Sequence, residues 1–391
     1  MNQRELFLQH VAQTSLEPLA LQIVKAEACR LIDVDGKEYL DLIGGISVAN
    51  MGHRHPKVIA AIQKQSEAYL HIMVYGEFVE TPQVQYAKLL TDHLPTTLNS
   101  VYFTNSGAEA VEGSMKLAKR FTGRTQIIAF ENSYHGSTQG ALSIIGNEYW
   151  RNAYRPLLPD ILHLQYNSFE SLNHITHRTA CVIAETVQAE AGVKAPSAEW
   201  MQALRNRCTD TGTMLVLDEI QTGFGRTGKL WGFQHFDIVP DIILLGKALG
   251  GGLPLGAFIA DKNCMLSLTE NPILGHLTTF GGHPLSCAAG MAAMQALLDE
   301  RIIDDIAAKQ KLFLSQLVHS KIKSVSTFGL WFSLQFDSFE TNKRIIDRCI
   351  SKGVLTDWFL FAADSLRLSP PLTITEADIR KACSVILDCI D

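Results

Sequence analysis

The sequence predicts an α/β fold: a mostly parallel central sheet with helices on both faces, plus a smaller α+β domain. Three observations support this prediction. Short, largely apolar runs recur along the middle of the chain, stretches with helical patterning separate them, and the pattern changes after Leu285. Runs without an alternating polar face are typical of parallel sheets, because helices cover both faces of such sheets. The alternation of strand and helix favours the same architecture between about residues 50 and 285.

Six runs are predicted to be strands of the central sheet: Ser100–Thr104, Gln126–Phe130, Cys181–Glu185, Met214–Asp218, Asp241–Leu245 and Gly256–Ala260. Helices are predicted over Ala108–Arg120, which Gly123 ends, and over Glu199–Thr209. In open α/β sheets, ligands bind where loops leave the carboxyl ends of the strands. We therefore expect the functional residues in those loops.

The two ends of the chain do not show the alternation of strands and helices that is seen in the middle. A hairpin is predicted around Asp35-Gly36 near the start, and an Ala-rich helix and two further strands follow Leu285. We expect the N-terminal segment, residues 1–50, to pack with a C-terminal small domain of residues 286–391, around a large ligand-binding domain of residues 51–285. The elements on which this depends are the strands Arg30–Asp33, Lys37–Leu42, Leu330–Phe336 and Ser365–Leu368 and the helix Ser286–Asp299.

Composition excludes several classes of protein. The formal net charge of -6 and the absence of basic clusters argue against a nucleic-acid partner. No apolar run reaches the length of a membrane span, and Met1–Ser15 lacks the apolar core of a signal peptide. The eight cysteines are scattered without CxxC spacing, which predicts reduced core thiols, a cytoplasmic protein and no structural metal site.

A run of small and polar residues, Thr104–Glu109, follows one predicted strand and opens a helix. Small side chains let a phosphate approach the backbone, and the free N–H groups of a helix start point at it. The alternative is a helix N-cap at Asn105 or Ser106 without any ligand.

An aromatic residue, Tyr134, follows the next predicted strand within Glu131–Gly136. Such a side chain can stack on a flat heteroaromatic ring, and Gly136 permits a tight turn. A purely structural role for the Tyr134-His135 pair is the alternative.

A carboxylate, Asp218, ends a strongly apolar strand. Its burial would be costly without a positive partner, and a protonated pyridine nitrogen is one such partner. A helix cap or a salt bridge with Arg226 remains open as the alternative. The segment Gly223–Gly228 also matches GxGxxG, but no convincing helix follows it, so we interpret it as a loop rather than a dinucleotide site.

The most specific feature is Lys247, which follows a buried apolar strand and precedes three glycines. Desolvation lowers the pKa of an amine, which suits a Schiff-base nucleophile and proton carrier. A surface lysine at a helix start is the alternative.

Together these strings resemble the class III aminotransferases, the pyridoxal-phosphate family of ornithine, acetylornithine, 4-aminobutyrate and putrescine aminotransferases. The resemblance runs from roughly Ile32 to Pro371. Its strings, in the family's order, are SGAEA, aromatic-His-Gly, E-x-V-Q-x-E, LDEIQTG, LGKALGGG, TTFGGHP and R-x-S-P-P-L. The resemblance implies a type I pyridoxal-phosphate fold, pyridoxal 5'-phosphate as the cofactor, and a homodimer with active sites shared between subunits.

The resemblance also implies a role for each matching residue. Lys247 would carry the Schiff base, Asp218 would pair with the ring nitrogen, and Gln221 would lie beside the ring hydroxyl. The remaining cofactor-binding residues would be Ser106, Gly107 and Ala108 at the phosphate, Tyr134 on the ring, His135 in the same string, and Thr279 at the phosphate of the neighbouring subunit.

A second pair, Glu190 and Arg367, matches the family's substrate-binding positions. There an arginine holds the α-carboxylate of glutamate or 2-oxoglutarate with two parallel hydrogen bonds, and the glutamate covers that arginine when the other substrate binds. We therefore expect transamination from a small amine donor to an oxo acid, with 2-oxoglutarate preferred.

The chain departs from the family at Ser137, where ornithine and acetylornithine enzymes have an arginine for the donor's distal carboxylate. Leu16 likewise stands near the position of a tyrosine in ornithine enzymes. A diamine or an ω-amino acid bound in another way therefore fits best. The alternatives are a mutase or decarboxylase on the same cofactor, a nicotinamide-dependent oxidoreductase, and a non-catalytic cofactor-binding protein.

Overall fold

The computed structural model describes residues 2–391. Its strands are β1 (Ile23–Glu27), β2 (Arg30–Asp33), β3 (Glu38–Asp41), β4 (Ser100–Thr104), β5 (Gln126–Phe130), β6 (Ile161–Leu164), β7 (Thr179–Glu185), β8 (Met214–Asp218), β9 (Ile242–Leu245), β10 (Gly256–Ala260), β11 (Ser324–Thr327), β12 (Phe332–Gln335), β13 (Val354–Leu355), β14 (Asp357–Phe359) and β15 (Ala362–Leu368).

The α-helices are α1 (Gln3–His10), α2 (Gly44–Ser47), α3 (Pro56–Ala68), α4 (Thr81–Asp92), α5 (Gly107–Thr122), α6 (Gln139–Ser143), α7 (Glu148–Arg151), α8 (Ala198–Thr211), α9 (Lys262–Leu266), α10 (Pro284–Asp299), α11 (Ile306–Gln316), α12 (Phe339–Ser351) and α13 (Glu376–Ile390). Short 3-10 helices lie at Asn152–Tyr154, Glu170–His174, Gly232–His235, Lys247–Gly250 and Ile302–Asp305.

The central sheet has seven strands in the order β4-β10-β9-β8-β7-β5-β6. Strands β5 to β9 pair in parallel, as predicted, and β10 pairs antiparallel with both β4 and β9. The ten-residue connection at 246–255 explains this direction, because a parallel crossover needs a dozen or more residues. The α/β fold class with a mostly parallel sheet is confirmed.

Both faces of the sheet are buried, which is why its strands lack a polar face. Along β7, Val182 and Ala184 pack into one core cluster and Cys181 and Ile183 pack into the other. Helix α5 covers the second face, with Val111 and Leu117 among its fully buried residues. At about 25 cal/mol per Å² of apolar surface, such two-sided burial is a dominant stabilising contribution.

Two smaller sheets lie outside the central one. Strands β11, β12, β15 and β14 form an antiparallel sheet that contacts α12. Strands β1, β2 and β3 form the other, and β13 extends it by pairing in parallel with β3. The start of the chain thus shares a sheet with a strand from its C-terminal third. The domain boundaries at residues 50 and 285 stay predictions.

Within residues 2–391, no helix is both long and apolar enough to cross a bilayer. The same part of the chain holds no group of three or more histidine, cysteine, aspartate or glutamate side chains suited to a metal ion. All eight cysteines are buried and free.

Candidate active site

A cavity of about 470 Å³, here called the inner cavity, opens at the carboxyl ends of the central strands. The structure brings seven of the predicted site residues to its wall: Gly107, Ala108, Tyr134, His135, Asp218, Gln221 and Lys247. They come from four separate segments of the chain, and each follows or ends a strand of the sheet. The structure therefore brings these candidate residues together at the loops where the sequence predicts a site.

Lys247 follows β9 at the start of a short 3-10 helix, with a positive φ of 48°. A side chain rarely adopts this backbone conformation, and such strain concentrates at functional sites. Its Nζ donates a hydrogen bond of 2.7 Å to Oε1 of Gln221. Burial lowers the pKa of Lys247 to about 8, although Glu190 and Asp218 act in the opposite direction. A solvated surface lysine is therefore the wrong interpretation.

Asp218 ends β8 with only 5% of its surface exposed. One carboxylate oxygen, Oδ2, lies 2.7 Å from Nδ1 of His135, and the other accepts the backbone N–H of Ile220. Within residues 2–391, Arg226 does not form the alternative salt bridge with Asp218. Its guanidinium instead donates hydrogen bonds to the carbonyl oxygens of Leu330 and Pro370. Asp218 thus faces the inner cavity with one oxygen fixed by a histidine.

The start of α5 forms one end of the inner cavity. Ser106 caps the helix by accepting the N–H of Glu109 at 3.2 Å, which is the predicted N-cap. The N–H groups of Gly107 and Ala108 belong to the first turn, where an α-helix supplies no acceptor. A Cβ at Gly107 would lie 2.7 Å from the terminal methyl of Ile220, so a larger residue would require that side chain to move. The cap does not exclude a bound anion, because Gly107 and Ala108 line the cavity.

The ring of Tyr134 also lines the inner cavity, and its hydroxyl lies 3.1 Å from Oγ of Ser137. Its backbone is fixed by Glu185, whose carboxylate accepts the N–H groups of Tyr134 at 2.9 Å and Ala189 at 2.8 Å. Burial raises the pKa of Glu185 well above its usual range, and the carboxylate of Asp218 adds to this effect. The sequence interpretation did not single out Glu185, although it opens the E-x-V-Q-x-E string.

A second cavity of about 420 Å³, here called the outer cavity, shares Tyr134 and Lys247 with the inner one. Its wall also includes Glu190 and Arg367, which form a two-pronged ion pair. Nη1 and Nη2 of Arg367 each lie 2.9 Å from a carboxylate oxygen of Glu190, and both side chains are almost fully buried. The predicted pair is thus in contact beside the predicted lysine.

The outer cavity contains a further carboxylate that the sequence interpretation missed. Asp357 begins β14, and its Oδ1 lies 3.0 Å from Nε of Arg367 without hydrogen-bond geometry. Burial raises its pKa to about 6. No family string covers this position, so only the pairing of β14 with β15, which sets Asp357 opposite Arg367, could reveal it.

Two predicted features lie away from the inner cavity. Thr279 is exposed, and the neighbouring Thr278 accepts a hydrogen bond of 2.9 Å from Asn105 at the start of α5. The Gly223–Gly228 loop is largely buried and leads to a 3-10 helix at Gly232–His235 rather than to an α-helix. That loop therefore lacks the helix start that a dinucleotide site requires.

The residues of the inner cavity fit pyridoxal phosphate by the chemistry of their donors. A buried amine can join an aldehyde, a buried carboxylate can hold a protonated ring nitrogen, and a helix start can hold a phosphate. All three are present on one wall, together with an aromatic ring that can stack on the cofactor.

Comparisons with known proteins agree with this chemistry. The family model described as aminotransferase class-III matches residues 11–390. The acetylornithine aminotransferase of Methanopyrus kandleri is 38% identical over 396 residues, covering 100% of this chain and 99% of the relative. The [LysW]-aminoadipate semialdehyde/glutamate semialdehyde transaminase of Sulfurisphaera tokodaii is 36% identical over 372 residues, covering 93% of this chain and 92% of the relative.

Among solved structures, the ornithine aminotransferase of Toxoplasma gondii superimposes with a TM-score of 0.91 at 28% identity. The match covers 99% of this chain and 92% of that one, whose description mentions pyridoxal phosphate at the active site. The sheet and the inner cavity thus define a pyridoxal-phosphate enzyme of the aminotransferase fold. The chain belongs to the class III aminotransferases. It is a transaminase that uses an amine donor, an oxo acid and pyridoxal phosphate.

Proposed function

We propose that this transaminase moves an amino group from a small amine donor to an oxo acid, preferably 2-oxoglutarate, through chemistry centred on Lys247. The donor class comprises ω-amino acids, ornithine- or acetylornithine-like compounds and diamines. The observation that carries the proposal is that Lys247 lies on the walls of both cavities. The inner one has the cofactor-binding groups, and the outer one has a buried arginine suited to a carboxylate.

The cofactor, when bound, supplies an aldehyde that joins to amines and a ring that accepts the electron pair of the substrate carbon. In the proposal, Nζ of Lys247 first holds the cofactor and then, once displaced by the donor, moves a proton at the reacting carbon. The lowered pKa of about 8 suits both tasks, because a fraction of the amine is neutral near physiological pH. Gln221 accepts a hydrogen bond from this amine and so orients it.

Asp218 would keep the ring nitrogen protonated, and His135 would keep Asp218 in place through the 2.7 Å contact. Ser106, Gly107 and Ala108 would hold the phosphate at the start of α5. Tyr134 would cover one face of the ring. A buried carboxylate is favourable only while it is paired with a cation. Asp218 would therefore stabilise the protonated ring nitrogen as long as water is excluded from the pair.

Arg367 would bind the carboxylate of the oxo acid with the two N–H groups that now reach Glu190. Glu190 would cover Arg367 while the amine donor is bound and turn away when the oxo acid enters. Arg367 would therefore be covered by Glu190 when the amine donor is bound and free to bind the carboxylate when the oxo acid is bound.

The experiment is a two-step spectroscopic assay on the holoenzyme. An amine donor should bleach the visible absorbance of the cofactor, and 2-oxoglutarate should restore it. Failure of every amine to change the absorbance would overturn the proposal. A panel of donors, run with 2-oxoglutarate and with pyruvate, would define both substrates. Loss of carbon dioxide from the donor would instead support a decarboxylase.

We also propose a homodimer in which Thr279 of each subunit reaches the phosphate bound by its partner. Large apolar side chains are exposed around this residue, among them Leu277 at 47% and Phe280 at 52%. Sedimentation of the purified protein as a monomer at micromolar concentration would contradict this assembly. The cytoplasmic location stays a prediction.

A further inference from the structure

The charges on the two cavity walls do not balance. The cations there are Lys247 and Arg367, and the acidic side chains are Asp218, Glu185, Glu190 and Asp357. Glu185 is satisfied by two backbone N–H groups. The proposed function uses Lys247 and Asp218 on the cofactor, and Glu190 neutralises Arg367 while the amine donor is bound. This inference rests on that proposed function. The carboxylate of Asp357 is then left over on the wall of the outer cavity.

The hydrogen bonds of Asp357 point the same way. Its buried Oδ1 and Nε of Arg367 lie 3.0 Å apart as an ion pair without hydrogen-bond geometry, and within residues 2–391 neither atom has another hydrogen-bond partner. Both terminal nitrogens of Arg367 are already bonded, to Glu190 and, for Nη2, also to the carbonyl oxygen of Trp358. Asp357 thus has one poorly aligned cation, which it shares with Glu190, and its side chain is 26% exposed on the wall of the outer cavity. A ligand in this cavity can therefore supply the well-aligned donor that the carboxylate lacks.

The rest of the outer cavity fits a hydrocarbon chain. Its uncharged wall is formed by Ile46, Trp358 and Leu360, next to the ring of Tyr134. A donor whose reacting amine lies at Lys247 can run its methylene groups along this wall towards Asp357. The uncharged Ser137, on the wall of the adjoining inner cavity, offers no cation to a distal carboxylate of the donor.

We propose that Asp357 is a specificity-determining residue that binds a second ammonium group, at the non-reacting end of the amine donor. The donor is therefore a chain of methylene groups with an amine at each end, or a diamino acid with its second amine free. With this ammonium in place, the group of Arg367, Glu190 and Asp357 is neutral as a whole. A donor whose second amine is acylated leaves Asp357 unpaired and binds more weakly.

The test measures kcat/KM in the amine half-reaction of the holoenzyme, from the bleaching of the cofactor absorbance. 1,4-Diaminobutane and butylamine are compared, because they differ only in the second amine, and N-acetyl-1,4-diaminobutane serves as the acylated donor. The diamine should exceed butylamine by about 10- to 100-fold, as expected for a hydrogen bond between charged groups. In Asp357→Asn this ratio should fall to within about threefold, because the rate with the diamine falls much more than the rate with butylamine.

Asp364→Asn is the matched control, since Asp364 lies on β15 and bonds to Gln335 rather than lining the outer cavity. Its diamine preference should stay that of the parent enzyme. Asp357→Glu should retain part of the preference, because the charge is kept.

Three results would overturn the inference. The parent enzyme could show no preference for the diamine, Asp357→Asn could keep the full preference, or the diamine and butylamine could lose rate equally in Asp357→Asn. The last result would assign Asp357 a structural role at Arg367. In each case bleaching by the amines would leave the proposed transaminase function intact, whereas no bleaching by any donor would overturn both.

Discussion

Replacing Arg367 with glutamine should separate the two substrates of the enzyme. The guanidinium donates two hydrogen bonds of 2.9 Å to Glu190, and an α-carboxylate has the same paired-oxygen geometry. Glutamine removes the charge and one of the two parallel donors. The oxo acid would lose its ionic partner, whereas Glu190 covers the arginine while the amine donor is bound, so the donor does not depend on it.

The magnitude follows from the burial of this pair. Arg367 and Glu190 are 3% and 5% exposed, so water cannot replace the missing partner. Truncating one member of a buried, hydrogen-bonded charge pair costs about 2–5 kcal/mol. Because each 1.4 kcal/mol corresponds to a factor of ten, kcat/KM for 2-oxoglutarate should fall about 30- to 4,000-fold. The amine half-reaction should change by less than about threefold, because in the proposed function Glu190, rather than the donor, occupies the arginine in that half-reaction.

The assay follows each half-reaction separately in single turnovers, through loss and recovery of the cofactor absorbance. Arg344→Gln, at an exposed position on α12, is the control for the loss of one arginine. Thermal unfolding of both variants checks that the fold is intact. An equal loss in the two half-reactions, with an unchanged melting temperature, would refute the assignment of Arg367 to the oxo acid.

The other predictions concern the cofactor-binding groups and one buried arginine. Asp218→Asn should lower kcat by about 100- to 1,000-fold, because the charge opposite the ring nitrogen is lost. A cofactor-binding titration of this variant should still show a filled site. A kcat equal to that of the wild type would contradict the proposed role of Asp218. The rate at which the apoprotein takes up pyridoxal phosphate should rise with pH up to about 8 and then level off. The reason is that the protonated amine of Lys247 is not a nucleophile, and burial lowers the pKa of this amine from 10.5 to about 8. Stopped-flow absorbance measures the rate, and a rise that continues to pH 10 would argue against the lowered pKa. Arg226→Met should destabilise the protein by about 3–5 kcal/mol, since it removes the hydrogen-bond donor from the buried carbonyl oxygens of Leu330 and Pro370. Equilibrium unfolding in urea measures this loss. An unchanged midpoint of unfolding would show that these hydrogen bonds contribute little.

Strands of the central sheet could be predicted where burial on both faces made the sequence uniformly apolar. The runs Gln126–Phe130 and Met214–Asp218 are strands with the predicted bounds. Strand β6 was missed, since its four residues, Ile161–Leu164, include His163 and it lies at the edge of the sheet. The direction of β10 could not be predicted either, because the apolar pattern of a strand does not indicate whether it runs parallel or antiparallel to its neighbours.

The candidate site divides in the same way. Lys247 and Asp218 could be predicted because a charged residue at the end of an apolar strand is costly unless it has a partner. Asp357 could not, since it lies in a short strand of mixed character and gains its meaning from Arg367, ten residues further on, across a β-bulge. The contact between His135 and Asp218 likewise depends on the alignment of two distant loops, which no local pattern encodes.

Every proposed step requires the amine of Lys247 to be the group that holds the cofactor. Borohydride reduction of the yellow holoenzyme, followed by proteolysis and mass spectrometry, tests this directly. We expect a single pyridoxyl-labelled peptide, modified at Lys247, and an inactive enzyme. A label on any other lysine, or a colourless protein that takes up no pyridoxal phosphate, would contradict it.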